Sequence, residues 1–120
     1  MASDFDVLIA GGGPAGSALA LALADGRRRI AVVEARSPVA GDSARSIALS
    51  AGSARLLDAL GVWPELAPGA VAIDRVEVSQ EGHFGRTRID AAEERLPALG
   101  YVVGHERLAG VLATAAAAAP

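Results

Sequence analysis

The sequence contains no cysteine, which removes disulfides and thiolate metal sites from consideration. Its two histidines, His83 and His105, stand far apart and show no metal-ligand spacing, so no metal site is expected. Aromatic residues make up only 3% of the chain, and the core must therefore be built from small aliphatic side chains. The net charge of −3 supplies no basic footprint for nucleic acid. No uninterrupted membrane span is present: Val7 to Ala24 carries no charge, but three consecutive glycines and Pro14 break it. Asp4 and Asp6 stand where a signal peptide would need positive charge, so the chain is expected in the cytoplasm. What is abundant is apolar: hydrophobic residues are 52% of the 120 residues, which speaks against disorder and allows one modest domain.

The stretch from Asp6 to Glu34 organises the rest. Val7 to Ala10 is a short apolar run that ends at Gly11-Gly12-Gly13. An alanine- and leucine-rich run follows and stops at Gly26. A second apolar run, Ile30 to Val33, ends in Glu34. This reads as strand, tight turn, helix, strand and acid. Each residue type suits a dinucleotide. Gly11 permits the turn out of the strand, Gly13 lets a pyrophosphate approach the backbone, and Gly16 lets the helix pack close to the strand. The helix opening at Pro14 and Ala15 directs its free N–H groups and positive dipole end at the phosphates. Pro14 fits the first turn because its missing N–H has no helical partner there. Glu34 follows Gly11 at close to the ~20-residue spacing of the ribose-binding acid. A lone GxGxxG is a weak signal; here it follows a strand, opens a helix and is completed by an acid.

Further along, Ala15, Leu19 and Ala22 form a stripe on the first helix, with Ala18 beside them, and this face is expected to pack on the sheet. Leu21 and Leu23 broaden the apolar surface. Arg27, Arg28 and Arg29 read as a solvated loop. Arg36 to Ser46 reads as a polar loop with Pro38, Gly41 and Asp42. Ser50 caps a helix whose core positions include Leu56, Leu57 and Leu60, and Gly61 stops it. Val62 and Trp63 pack back on that helix, and Pro64 opens one more turn. From Ile73 the period becomes two. Val76 and Val78 alternate with Arg75, Glu77 and Ser79, Glu81-Gly82 is a turn, and Phe84 to Ile89 returns. This predicts an antiparallel hairpin. Ala91 to Leu99 is a loop, Tyr101 to Val103 a short strand, and Gly104 to Ala119 a helix with Leu108, Val111, Leu112 and Ala115 inward.

GGGPAG with Glu34, then DSARSIALS, LGVW, VEVSQEGHFG and LGYVV, together resemble the N-terminal part of the flavin-dependent aromatic hydroxylases of ubiquinone biosynthesis, of the 2-octaprenyl-6-methoxyphenol hydroxylase type. GGGPAG alone indicates only a flavoprotein. Arg45-Ser46-Ile47-Ala48-Leu49 and the run Val78-Ser79…Gly82-His83…Gly85 narrow it to this branch. The resemblance covers nearly all of the chain. It implies an α/β fold: a Rossmann-like βαβ FAD-binding domain of the aromatic-hydroxylase type, incomplete, with a hairpin belonging to the substrate domain. The expected organisation is residues 1–70 as the βαβ unit and following helix, 71–100 as the hairpin, and 101–120 as a return strand and helix.

The implied cofactor is FAD, reduced by NAD(P)H. Molecular oxygen then supplies the atom transferred to a prenylated phenol, while the cofactor carries the chemistry. Carried over to these positions, Gly11, Gly13, Pro14, Ala15 and Gly16 hold the pyrophosphate. Glu34, with Ala35 and Arg36 beside it, borders the adenosine, and Arg45 lies against the cofactor as a permanently charged, forked donor. Three residues before Leu108, many family members carry Arg, Gln or Asn touching the cofactor; this chain has His105, with Arg107 as the reserve candidate. His83 is expected to be solvated. Association at the periphery of the inner membrane or with a biosynthetic complex is also implied. The family's second cofactor motif and its pocket-flooring sheet do not fit in 120 residues. The expectation is thus an N-terminal fragment, inactive alone, whose catalytic residues lie elsewhere. The competing readings are a NAD-dependent dehydrogenase module, in which helices and parallel strands should continue to alternate, and a non-catalytic truncated product.

Overall fold

The computed structural model describes residues 4–36 and 44–120. Strand β1 (Val7–Ala10), helix α1 (Pro14–Leu23) and strand β2 (Ile30–Val33) come first. β1 and β2 pair in parallel, from Val7 opposite Ile30 to Ala10 opposite Val33. A parallel pair needs a crossover connection, and α1 provides it. The βαβ unit expected from Asp6 to Glu34 is therefore present.

The buried face of α1 differs from the expected one. Ala15, Leu19 and Ala22 are exposed, Leu19 to 49%, whereas Ser17 and Ala20 are buried and Ala18 and Leu21 pack on the core. The rotation of the helix is fixed by Gly16. A Cβ built there would lie 1.9 Å from the Gly11 carbonyl oxygen, so Gly16 faces the strand at closest approach. Ala20, one turn on, follows it inward. A stripe chosen by hydrophobicity alone has no access to this constraint, because nearly every residue of α1 is apolar.

The next strand, β3 (Ser46–Ser50), leads directly into helix α2 (Ala51–Ala59). Ser50 caps α2 as expected, its hydroxyl oxygen accepting from the Ser53 N–H at 3.1 Å; such a cap contributes about 1 kcal/mol. Leu57 is buried and Leu60 packs against the core, but Leu56 is 56% exposed and is not a core position. Helix α3 (Trp63–Leu66) opens with Pro64 in its first turn and continues into a 3-10 turn, Ala67–Gly69. Strand β4 (Val71–Ile73) follows, then β5 (Arg75–Ser79), β6 (Arg86–Asp90), β7 (Gly100–Gly104) and helix α4 (His105–Ala118).

β7 is the centre of an antiparallel sheet ordered β3–β7–β4. Ser46 lies opposite Gly104 on one side, and Val71 opposite Val102 on the other. Two expectations change here. The polar loop assigned to Arg36–Ser46 has its middle, residues 37–43, outside the described residues, and its last residue, Ser46, begins a strand. Ile73 does not start the hairpin: it ends β4, opposite Gly100. Alternation of period two runs on through Asp74, so the pattern hides the change of partner. The hairpin itself is β5 and β6, with Val76 opposite Ile89 and Glu77 opposite Arg88.

The core lies between the three-stranded sheet and the helices. Leu57, Val62, Leu66, Val103, Leu108 and Leu112 form it, with Ile47, Leu49 and Trp63 packed around. Trp63 meets Tyr101 edge to face, with ring centroids 4.8 Å apart. No helix among the described residues is long and apolar enough to cross a membrane.

Candidate nucleotide-binding site

The glycine turn leaves β1 at Gly11, whose φ of +108° is open to glycine and strained for other residues. The Gly11 N–H donates to the Val33 carbonyl at 2.7 Å, which ties the turn to the end of β2. Gly13 precedes α1 with extended backbone, and a Cβ on it would meet nothing within 4 Å. That open side is where the pyrophosphate was expected. Among the described residues, the N–H groups of Gly13, Ala15 and Gly16 find no acceptor, and Pro14 has no N–H. Three backbone donors without an acceptor among the described residues thus lie at the start of a 10-residue helix, where the free N–H groups favour an anion.

Glu34 stands at the end of β2. Its Oε2 accepts from the Gly12 N–H at 2.8 Å, and its Oε1 from the Arg36 N–H at 3.0 Å. The Arg36 N–H, then the Gly12 N–H, holds its carboxyl below the usual value, so Glu34 is ionised at neutral pH. A carboxylate offers about four acceptor sites. The two N–H groups leave capacity for hydroxyl donors, as a ribose diol requires. The residues at the turn thus fit a dinucleotide with adenosine over Glu34 and diphosphate at the helix start.

Arg45 and His105 are brought together. They flank the end of the β3–β7 ladder, and the His105 N–H donates to the Arg45 carbonyl at 2.9 Å. The Arg45 side chain is exposed, and His105 is half-buried. Arg107 is engaged elsewhere: its guanidinium donates to the Glu65 carbonyl at 2.5 Å and lies across Gly69. It anchors α3 and the turn after it. Ala35 and Arg36 are exposed beside Glu34, and His83 is exposed at the hairpin turn.

One residue at the turn escaped the sequence reading. Ser17 is 4% exposed, and its hydroxyl donates to the Gly12 carbonyl at 3.2 Å. The available signal was a lone hydroxyl inside an otherwise apolar helix. A groove of about 680 Å³ between α1, α4 and the segment around Arg28 and Ile30 reaches this turn at Gly12 and Ser17.

The family model described as FAD binding domain matches residues 4–120, and the chain belongs to that family. Among curated relatives, the chain is 38% identical over 103 residues to the 3-demethoxyubiquinol 3-hydroxylase of Escherichia coli (strain K12), covering 82% of this chain and 26% of that protein. It is 33% identical over 113 residues to the ubiquinone hydroxylase UbiL of Rhodospirillum rubrum, covering 91% and 26%. Among solved structures, the p-nitrophenol 4-monooxygenase PnpA of Pseudomonas putida DLL-E4 superposes with a TM-score of 0.72 at 24% identity, over 95% of this chain and 29% of that one. The flavin-dependent monooxygenase PieE, in complex with FAD and substrate, gives 0.70 at 23% identity, over 97% and 23%. The fold is that of the FAD-binding part of aromatic hydroxylases. The chain spans about a quarter of the length of the curated relatives it matches.

Proposed function

We propose that this chain is the N-terminal FAD-binding part of a flavin-dependent monooxygenase that hydroxylates a prenylated phenol in ubiquinone biosynthesis. The observation that carries this reading is the turn itself: three N–H donors at the start of α1 with no acceptor among the described residues, beside an ionised Glu34 with acceptor capacity to spare. The ubiquinone-pathway names of two relatives support the substrate class. Bound FAD, reduced by NAD(P)H, supplies oxygen activation and transfer of one oxygen atom to the ring. In this reading Gly11, Gly13, Pro14, Ala15 and Gly16 hold the diphosphate, and Glu34, with Ala35 and Arg36, holds the adenosine ribose. Arg45 and His105 contact the cofactor from the β3–β7 end.

Residues 1–70 and 101–120 form the FAD side, and the hairpin within 71–100 belongs to the substrate side. Both strands of that hairpin are largely exposed and polar on one face, which does not by itself close an apolar pocket. The 120 residues alone are therefore expected to be inactive. The full protein acts on its prenylated substrate at the periphery of the inner membrane or within a biosynthetic complex. A NAD-dependent dehydrogenase module would continue with alternating helices and parallel strands; the antiparallel sheet and hairpin after β2 speak against it. The test is to purify the full-length protein and record its visible spectrum. Stoichiometric FAD and a hydroxylated prenylphenol formed with NAD(P)H and oxygen are expected. A colourless protein that binds NAD in preference to FAD overturns the proposal.

A further inference from the structure

Gly12 is held by side chains from both neighbouring elements. Glu34, at the end of β2, accepts from its N–H; Ser17, in α1, donates to its C=O. Ser17 holds the turn a second time, since its backbone N–H donates to the Gly13 carbonyl at 2.9 Å. In a planar trans peptide the C=O and the following N–H point in opposite directions. Drawing the Gly12 carbonyl in toward the buried Ser17 hydroxyl therefore turns the Gly13 N–H outward, to the side where Gly13 is open. The same geometry applies one peptide earlier. With the Gly12 N–H on Glu34, the Gly11 carbonyl points away from it, toward Gly16. Three consecutive glycines have the least conformational restraint of any tripeptide, so an unheld turn would sample many shapes.

We propose that Ser17 and Glu34 form a clamp that sets the glycine turn in its phosphate-binding shape before the nucleotide arrives, with Ser17 a positioning residue that aims the Gly13 N–H. The part concerning the cofactor rests on the FAD reading above. Pre-organisation of this kind raises affinity by lowering the ordering cost on binding.

The test is Ser17→Ala in the full-length protein, with residue-resolved amide exchange on the cofactor-free form and FAD titration. Ser17 does not touch the Gly12 N–H, yet its loss is expected to speed exchange of that amide several-fold to tenfold, the factor typical of one hydrogen bond. Amides of α4 should stay unchanged, and the FAD dissociation constant should rise by a similar factor. Unchanged Gly12 exchange, or acceleration spread equally over α1 and α4, overturns the clamp. A wild-type protein that takes up no FAD removes the proposed function, while the exchange comparison still decides whether Ser17 orders the turn.

Discussion

Gly16 and the carbonyl oxygen of Gly11 approach so closely that a methyl group on Gly16 would lie 1.9 Å from that oxygen. The neighbour is backbone, which cannot swing aside as a flexible side chain could. Gly16→Ala is expected to push α1 off β1 and destabilise the protein by about 1–3 kcal/mol, the usual cost of overpacking. Gly13→Ala should behave in the opposite way. Its Cβ meets nothing, so stability is kept while FAD retention is lost. Melting temperature and bound flavin, measured on both variants, check the pair; a fully flavinated Gly13→Ala protein contradicts the phosphate site.

Glu34→Ala is expected to weaken FAD by roughly tenfold or more, because charge-assisted hydrogen bonds are the strong ones. Riboflavin, which lacks the adenosine ribose, should be affected less. The pH dependence follows from the depressed carboxyl. Glu34 accepts from ribose hydroxyls as the carboxylate, so its contribution to FAD affinity is present at neutral pH and is lost as pH falls through its depressed folded-state value. FAD titrations at neutral pH and in the acid range test this; equal affinity of wild type and variant at neutral pH removes the ribose role.

Asp90 binds one arginine across the hairpin, Arg75, and one on its own strand, Arg88. It accepts from Arg75 Nε at 2.5 Å and pairs with Arg88 Nε at 3.0 Å. Arg75 is the main reason its carboxyl is held below 3.8. The hairpin contribution is complete above that value and declines as pH drops through the depressed one. Asp90→Asn should raise amide exchange in β5 and β6 at neutral pH and flatten the acid response. A variant with wild-type exchange shows that the pairs contribute nothing.

His105 and Arg107 separate by consequence. Arg107→Ala frees the Glu65 carbonyl and should lower stability while leaving the flavin spectrum unchanged. His105→Gln keeps a donor and should be tolerated, whereas His105→Leu should weaken FAD. If both His105 variants match wild type in spectrum and FAD affinity, His105 has no cofactor contact.

Tyr101→Leu removes the edge-to-face contact with Trp63. A loss of about 0.5–1.5 kcal/mol beyond the area term is expected. Trp63 is the sole tryptophan, so its emission reports the change directly. An unaltered emission maximum and an unaltered melting temperature would rule the contact out as a stabilising one.

The sequence carries the βαβ unit plainly because its punctuation is local. Gly11 ends β1, Pro14 opens α1, and Glu34 closes β2 within a single crossover. It also carries the Ser50 cap, Gly61 and the presence of an antiparallel hairpin. It carries β3 poorly: Ile47 and Leu49 alternate with small neighbours, Ser46, Ala48 and Ser50, for only five residues, and their partner strand lies beyond two helices and a hairpin. The face of α1 was hidden by uniform apolarity and is set by Gly16, a contact distance rather than a composition. The pairing of Glu34 with Gly12, and of Ser17 with the same residue, is likewise a three-dimensional fact, as is the meeting of Arg45 with His105.

The order of synthesis gives the β3–β7–β4 sheet a particular timetable. The two outer strands leave the ribosome first, and the strand that joins them leaves last, after the whole hairpin has been made. Until Gly100–Gly104 emerges, β3 and β4 have no ladder to enter, and each is an open edge available to another chain. The β1–α1–β2 unit, by contrast, has its pairing partners in hand once Val33 is out. Between the emergence of β4 and that of β7, the chain therefore combines a paired β1–α1–β2 unit with two unsatisfied strands.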